Sequence, residues 1–549
     1  MQTISDSSKN DMWKQAHRKT ILNESFVEVS LDIGDPESVA DAARVDEQGN
    51  PLAVTDNGAI YISASSALTN GVDDTHSPYC TLEQNLWCLD GNRKVIPEGG
   101  VEEKGYIGDV LCDATCIFST KLPTITIAFS KKFTTPIPGI TIVWSKTYNE
   151  FADTFEVIAY NGDTVVASKE VTKNRSTNTI ILVEIPEYDR IVVVVKKWCL
   201  PLHRARIEEI YVGVRKIYGK ADLFDYTHSQ VVDPISTTLP KMAINFSVSN
   251  IDDEFNPHNP EGLTPYLMER QEVKTKYGLK LDDGTVQWIP GGTFYLSDWF
   301  AKQNGMTADF TARDSLEFLS DIYSDKAIGF DRSLGDLART ILNRAELPTP
   351  SAGAPKWIIH ESLDKITTTA PIPQDTLANL LQLIANAGQC TIYPDRNGTL
   401  RIEPLVFEHA DYTINSFNSY AKSEITLSKP LKQVIVKVYA YTKADGKVTA
   451  TTDEEVSYSV GSVGETIIID NPLVTDTSRA SALAEWIANY LKHRMTLDSS
   501  WRPDVRLDAL DIVNNENAYD SKHVRMTEIT YKYNGAFRAT GKGKVIENG

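Results

Sequence analysis

Basic charge is what this 549-residue sequence has least of relative to its opposite: 55 Lys and Arg stand against 74 Asp and Glu, a formal net charge of −19. Proteins that hold DNA or RNA through phosphates, or an anionic bilayer through headgroups, need a cationic face. Sequence-specific nucleic-acid binding and docking on anionic lipid are therefore disfavoured, although a local basic patch is compatible with an acidic total. No apolar run approaches the roughly 18 residues that a membrane-spanning helix requires. Residues 1–10 are polar and carry no apolar signal core, which speaks against Sec export. Six cysteines in the whole chain are too few for a disulfide scaffold, so synthesis in a reducing cytoplasm is expected.

Motifs of known chemistry are missing as well. The sequence contains no HExxH, no Walker loop, no GxSxG and no GxGxxG. Gly461-Ser-Val-Gly464 has the wrong spacing for a nucleophile elbow and lies between two candidate strands, where a turn is expected. Cys80 and Cys88, and Cys112 and Cys116, are the one metal-like grouping. Their spacing is not that of a CxxC knuckle, which leaves zinc, buried thiols or an adventitious disulfide as alternatives. Cys199 and Cys390 read as core residues. Asp252-Asp-Glu254 and Asp282-Asp283 precede turn residues and read as solvated loops rather than catalytic acids. Neither a cofactor nor a catalytic residue is expected.

What the sequence does have is a globular balance, with 41% hydrophobic and 23% charged residues, so most of it should fold. At roughly 100–200 residues per domain the length allows about three to five domains. The fold class is expected to be mainly β with α+β parts. Residues 1–57 form an N-terminal arm and a strand on which Phe26, Val27, Val29, Leu31 and Ile33 lie. Residues 58–214 hold β-branched runs such as 124–129, 140–144, 155–160, 180–185 and 190–196, separated by turns, and predict a β-sandwich. Residues 215–325 are again β-rich, with Asp283-Gly284 turning a hairpin and Asp314-Ser-Leu-Glu317 opening a helix. Residues 326–423 are mixed α/β: two helical stripes (Leu334, Leu337, Ala338, Ile341, Leu342, and Leu377, Leu380, Leu381, Ile384) precede a hairpin turned at Asp395-Arg-Asn-Gly398, with Gly388 as a helix stop. Residues 424–549 are β-rich with one strong helix, on which Ala480, Leu483, Ala484, Ile487, Ala488 and Leu491 make an apolar stripe.

One surface reading stands out in the sandwich. Trp198, His203, Arg204 and Arg206 combine an aromatic with cationic donors, as a carbohydrate contact does. The plainer reading is a sandwich-end loop with Trp198 packed in the core.

Three stretches resemble a family in their order. They are Phe246-Ser-Val-Ser-Asn-Ile-Asp-Asp-Glu-Phe-Asn-Pro257 with Gly278–Gly284, Trp288 and Gly292–Leu296; Pro373–Ala385 with Tyr393-Pro-Asp-Arg-Asn-Gly-Thr-Leu-Arg-Ile402; and Ala484–Leu491 with Trp501-Arg-Pro-Asp504, Leu507-Asp508 and Asp511-Ile-Val513. Together they resemble the central hub proteins of tailed-phage baseplates and tail tips, although Pro503 before Asp504 departs slightly from that family's turn. Residues 140–144, 155–162 and 206–213 resemble the galactose-binding-like, discoidin-type jelly roll. The first resemblance implies two barrel-like hub domains per chain and a homotrimer whose pseudo-sixfold ring joins a tail tube to a spike, tip or fibre. The second implies an inserted decoration that contacts a host-surface glycan or is structural only. The competing expectations are a carbohydrate-active enzyme and a surface adhesin.

Overall fold

A computed structural model describes the chain except residues 3, 5–6, 19–23, 45–51, 57–58, 63–104, 146–147, 302–304, 324–331, 346, 349–354, 407–408, 445–446, 517–519 and 547–549. Cys80 and Cys88 lie outside the described residues. The chain is mainly β and has three hydrophobic cores.

The first core lies against a thirteen-stranded sheet. Its path runs Val214–Tyr218, Ser25–Ile33, Glu272–Lys280, Val286–Ala301, Thr307–Arg313, Lys241–Ser249, Leu223–Val231, Ser521–Tyr533, Phe537–Val545, Met495–Trp501 and Glu424–Leu427. Ile512–Glu516 and His409–Ile414 branch from Ser521–Tyr533. The alternation in residues 26–33 puts Val27, Val29 and Leu31 on the core face, because side chains of a strand alternate between faces. That strand pairs with Glu272–Lys280 on one side and with Val214–Tyr218 on the other.

The two β-rich hub regions were expected as two barrels. Among the described residues they are instead halves of one open sheet. Leu223–Val231 has a free edge, and Ser521–Tyr533 takes it, with Tyr226 opposite Tyr533 and Val231 opposite Glu528.

The second core gathers the helices Leu334–Arg344, Leu377–Ala387 and Thr477–Leu491 with the hairpin of Thr391–Pro394 and Leu400–Glu403. Leu431–Ala444, Lys447–Ser459 and Glu465–Ile469 form a three-stranded sheet beside them. Asp476 caps the last helix by accepting from the Arg479 amide at 2.8 Å. Ala480, Leu483, Ala484, Ile487 and Ala488 are buried, as the stripe predicts, and Leu491 packs at the margin. They pack against residues 431–474 and the mixed α/β unit, however, and not against the terminal strands. The expected unit 424–549 is thus divided between two cores. Gly388 closes the helix at φ −83°, so a left-handed conformation is not its purpose. A Cβ there would lie 2.0 Å from a Leu363 methyl, and the glycine serves that close approach.

The third core lies between two five-stranded antiparallel sheets. One consists of Val54–Asp56, Thr124–Phe133, Tyr188–Trp198, Ala152–Asn161 and Thr164–Val171. The other consists of Ala59–Ile62, Tyr106–Leu111, Arg204–Tyr211, Ile137–Trp144 and Asn178–Ile185. The helix Pro36–Ala42 belongs to this sandwich: Ala42 is in its core, and Tyr188 Oη lies 2.8 Å from Ser38 Oγ. The chain therefore leaves the thirteen-stranded sheet at Gly34 and returns at Gly213, not at 57/58 and 214. Ile33 and Val214 are paired at this crossing. A Cβ on Gly34 would lie 2.6 Å from the Val212 carbonyl, and one on Gly213 (φ +141°) 2.6 Å from the Ile33 carbonyl.

A buried ion cluster fastens the crossing. Arg215 Nε and Nη2 donate to the two oxygens of Asp32 at 2.7 and 2.8 Å, and Nη1 donates to Glu209 at 2.7 Å. Asp32 belongs to the thirteen-stranded sheet and Glu209 to the sandwich. Burial works against the guanidinium charge, but Asp32 and Glu209 outweigh it and raise its pKa. No helix among the described residues is long and apolar enough to cross a membrane.

Candidate functional site

The hairpin turn Asp395-Arg-Asn-Gly398 places one side chain in the seam between the first two cores. Asp395 Oδ1 accepts from the amides of Asn397 and Thr399 at 3.0 Å each, and Gly398 adopts φ +85°. This tight Asx-type turn leaves Arg396 pointing away from the second core and toward the thirteen-stranded sheet. Arg396 Nε donates to Asp508 at 2.7 Å and Nη1 to the Pro290 carbonyl at 2.9 Å. Nη2 donates to the carbonyls of Val505 and Leu507, both at 2.8 Å. The guanidinium carbon lies 5.6 Å from the centre of the Tyr277 ring.

Asp508 also accepts from Gln230 at 3.1 Å and from Gln2 at 2.7 Å. Burial opposes its ionisation, but Arg396 and these hydrogen bonds prevail and hold its pKa below the usual carboxylate value. Next to it His228 is buried, with Nδ1 2.6 Å from Tyr277 Oη, which in turn lies 2.8 Å from Tyr226 Oη. Burial first, then the charge of Arg396, pushes the His228 pKa down to about 3, so the ring stays neutral.

The N-terminal helix Ser7–Arg18 closes one side of the seam. Trp13 is buried, and its indole donates to Asp504 at 3.2 Å. Asp504 also pairs with Arg506, whose guanidinium stands 5.7 Å from the Trp13 ring. A cavity of about 650 Å³ opens beside the joint, with Asp314, Arg396, Arg525 and His228 in its lining. Burial raises the Asp314 pKa to about 7, against hydrogen bonds from the Leu316 and Met242 amides. In its lining Asp314 and Arg525 are held by backbone groups, Arg396 by Asp508 and backbone carbonyls, and His228 by the Tyr277 hydroxyl.

The sandwich end follows the plainer of the two readings, with Trp198 packed in the core. Trp198 is wholly buried: its ring meets Trp144 edge-on at 5.9 Å, and its indole donates to Glu150 at 2.8 Å. The other oxygen of Glu150 lies 3.0 Å from His203 Nδ1. Arg206 is buried too, 4.6 Å above the Tyr148 ring. Neither Trp198 nor Arg206 can act as a surface platform, because both fill the core. His203 and Arg204 sit at its margin, and Arg204 donates to the Gly108 carbonyl at 3.2 Å. Cys112 is buried, with Sγ 3.1 Å from the Leu200 carbonyl, and Cys116 is half-buried. Among the described residues no group of three or more His, Cys, Asp or Glu is placed to hold a metal ion.

No family model matches the sequence, and no curated protein does. Solved structures do match. A 43 kDa tail protein of prophage MuSo2 from Shewanella oneidensis superposes at a TM-score of 0.42 with 14% identity, over 60% of this chain and 96% of that one. A tail protein from Neisseria meningitidis MC58 gives 0.41 and 11%, over 60% and 94%. The prophage tail protein gp18 from Listeria monocytogenes EGD-e gives 0.37 and 12%, over 61% and 91%. The chain is similar to phage tail proteins of known structure.

Two groups at these sites left little trace in sequence. Arg396 lies within the turn Asp395-Arg-Asn-Gly398, which does not show its burial, since its partners are 106 to 112 positions away. Glu150 follows Asn149 in a polar loop and gives no hint of its burial. Only the unusual juxtaposition of Trp, His and Arg in 198–206 points toward it.

Proposed function

We propose that this chain is a structural protein of a phage tail, or of a phage-derived injection particle, and serves as its central hub. The observation that carries the proposal is the joint at Arg396. The three sequence stretches that resemble hub proteins lie far apart in the chain and meet there: the second supplies Arg396, the first the Pro290 carbonyl between Trp288 and Gly292, and the third Asp508 and Leu507. A buried arginine carried by one segment and satisfied by two others fixes the relative placement of all three, which supports reading the stretches as one architectural unit.

In this reading the hub works by assembly and turns nothing over. Three copies, each with two β-rich halves, present six similar units to a tail tube on one side and a threefold spike, tip or fibre on the other. The sandwich is a discoidin-like decoration inserted into the hub sheet. Its accessory contact with a host-surface glycan is assigned to His203 and Arg204 at its end, since Trp198 and Arg206 are buried. Its place is the virion tail after synthesis in the host cytoplasm.

Light scattering with and without the tube-side neighbour, together with negative-stain imaging, tests the proposal. A threefold ring is expected, and a monomer in both settings would overturn it. Assays for ends released from peptidoglycan and surface glycans are expected to be blank. Turnover that is lost on changing a single carboxylate would favour the enzyme reading instead.

A further inference from the structure

The main path of the thirteen-stranded sheet has two ends, apart from the branch that ends at His409–Ile414, and they are finished differently. Val214–Tyr218 is packed under the sandwich strands Ile137–Trp144 and Asn178–Ile185, with Val214, Arg215 and Tyr218 buried. At the other end Glu424–Leu427 has, among the described residues, a single strand partner, Met495–Trp501, and all four of its residues are exposed. Ile425 and Leu427 lie opposite Leu497 and Met495, on the face where Leu497 is buried in the first core. The core face thus continues one strand beyond the core and ends in the open, with Ile425 and Leu427 each 60% exposed. Phe417 at 86% and Tyr420 at 54% extend the same edge, since the Tyr420 amide donates to the Ser500 carbonyl.

Charge around this edge runs against the total. Residues 417–432, 492–498 and 538–544 hold eight Lys or Arg and two acids in a chain of net charge −19; Lys429 and Lys542 are paired with Glu465 and Glu528, which leaves the edge still basic. Arg538 stacks 5.6 Å from the Tyr420 ring, and Arg494 donates to the Ser428 carbonyl at 2.9 Å. An edge strand with free amides and carbonyls is a template for another strand. A second copy is a poor occupant, because edge-to-edge pairing would set two basic rims against each other, and the far end of the sheet is already covered.

We infer that Glu424–Leu427 is a strand-addition site for an extended segment of a different polypeptide, one with alternating apolar side chains and acidic flanks. The apolar residues would complete the face begun by Leu497, and the acids would meet the basic rim. This surface stands independently of the chain's place in a tail.

The test uses the full-length protein and two fluorescent peptides with a Val-Thr-Ile-Thr-Val centre, one flanked by glutamates and one by lysines. The glutamate peptide is expected to bind, to lose affinity in high salt, and to protect the amides of 424–427 from hydrogen exchange. Ile425→Asp with Leu427→Asp should weaken it by about tenfold or more with the melting temperature unchanged, whereas Leu182→Asp on the exposed sandwich edge should leave it intact. Equal binding of the lysine peptide would overturn the inference. So would sedimentation showing self-association that disappears in the double variant, because the occupant would then be a second copy.

Discussion

Arg215 fastens the sandwich to the hub sheet through two carboxylates, whereas Arg396 fastens the second core to the same sheet through one carboxylate and three backbone carbonyls. Both guanidiniums are buried, but their surroundings differ in what is left if the cation is removed. At the first joint two buried anions would face each other without compensation. At the second, Asp508 would keep Gln2 and Gln230, and the carbonyls are neutral. The chain thus uses a charge-dense clamp where one strand pair is the only covalent route, and a hydrogen-bonded key where three segments already touch.

The largest expected effect follows directly. Arg215→Met should cost about 3–5 kcal/mol, because a broken buried pair leaves charge unpaired. Urea unfolding would read it, and adding Glu209→Gln to the variant should recover part of the loss. Arg396→Met should cost less, about 2–3 kcal/mol, from unsatisfied acceptors. If Arg396→Met proved the more damaging of the two, the contrast drawn between the joints would be wrong.

Acid should separate the regions next. The folded pKa of His228 is depressed to about 3, against about 6.5 unfolded. The folded state therefore binds fewer protons than the unfolded state between these values. The contribution is fully present above pH 6.5 and is lost as pH falls from 6.5 toward 3. Between pH 6.5 and 5 this amounts to about 2 kcal/mol, and burial also lowers the pKa of His17 on the N-terminal helix. Asp314, whose pKa is raised to about 7, gains stability over the same interval, so unfolding curves read the effect as a difference: between pH 7 and pH 5 the wild type should lose about 2 kcal/mol relative to His228→Gln. The smallest effect belongs to the sandwich end: Glu150→Gln should cost about 1 kcal/mol, read as a small fall in midpoint, since the Trp198 and His203 contacts are each weakened rather than removed.

Periodic burial was readable in the sequence, and pairing across long separations was not. Residues 26–33 alternate, and residues 480–491 repeat at helical spacing, because each faces one core along its length. The sandwich runs were legible for the same reason, each strand turning one face to the third core, although most of their pairings join strands that are not consecutive. The division of 424–549 between two cores was not legible, since the apolar faces of 431–491 and 495–545 look alike and only their partners differ. The joints were also hidden. Arg215 lies beside Lys216 in an otherwise apolar stretch and Arg396 in a polar turn, and their buried partners lie more than a hundred positions away, apart from Glu209. The open character of the hub sheet escaped notice too, because nothing in Leu223–Val231 marks which edge it offers to Ser521–Tyr533.

The pairing of Ile33 with Val214 has a mechanical meaning. Both connections to the sandwich leave the hub sheet at the same end of two neighbouring antiparallel strands. A pull on the sandwich along those strands is delivered to both at once and cannot peel one from the other. The load falls instead as shear on the ladder between Ser25–Ile33 and Glu272–Lys280, where seven residue pairs from Ser25↔Leu279 to Leu31↔Val273 resist together. Force applied at the periphery would thus reach the centre of the sheet as a sliding stress shared across a whole strand.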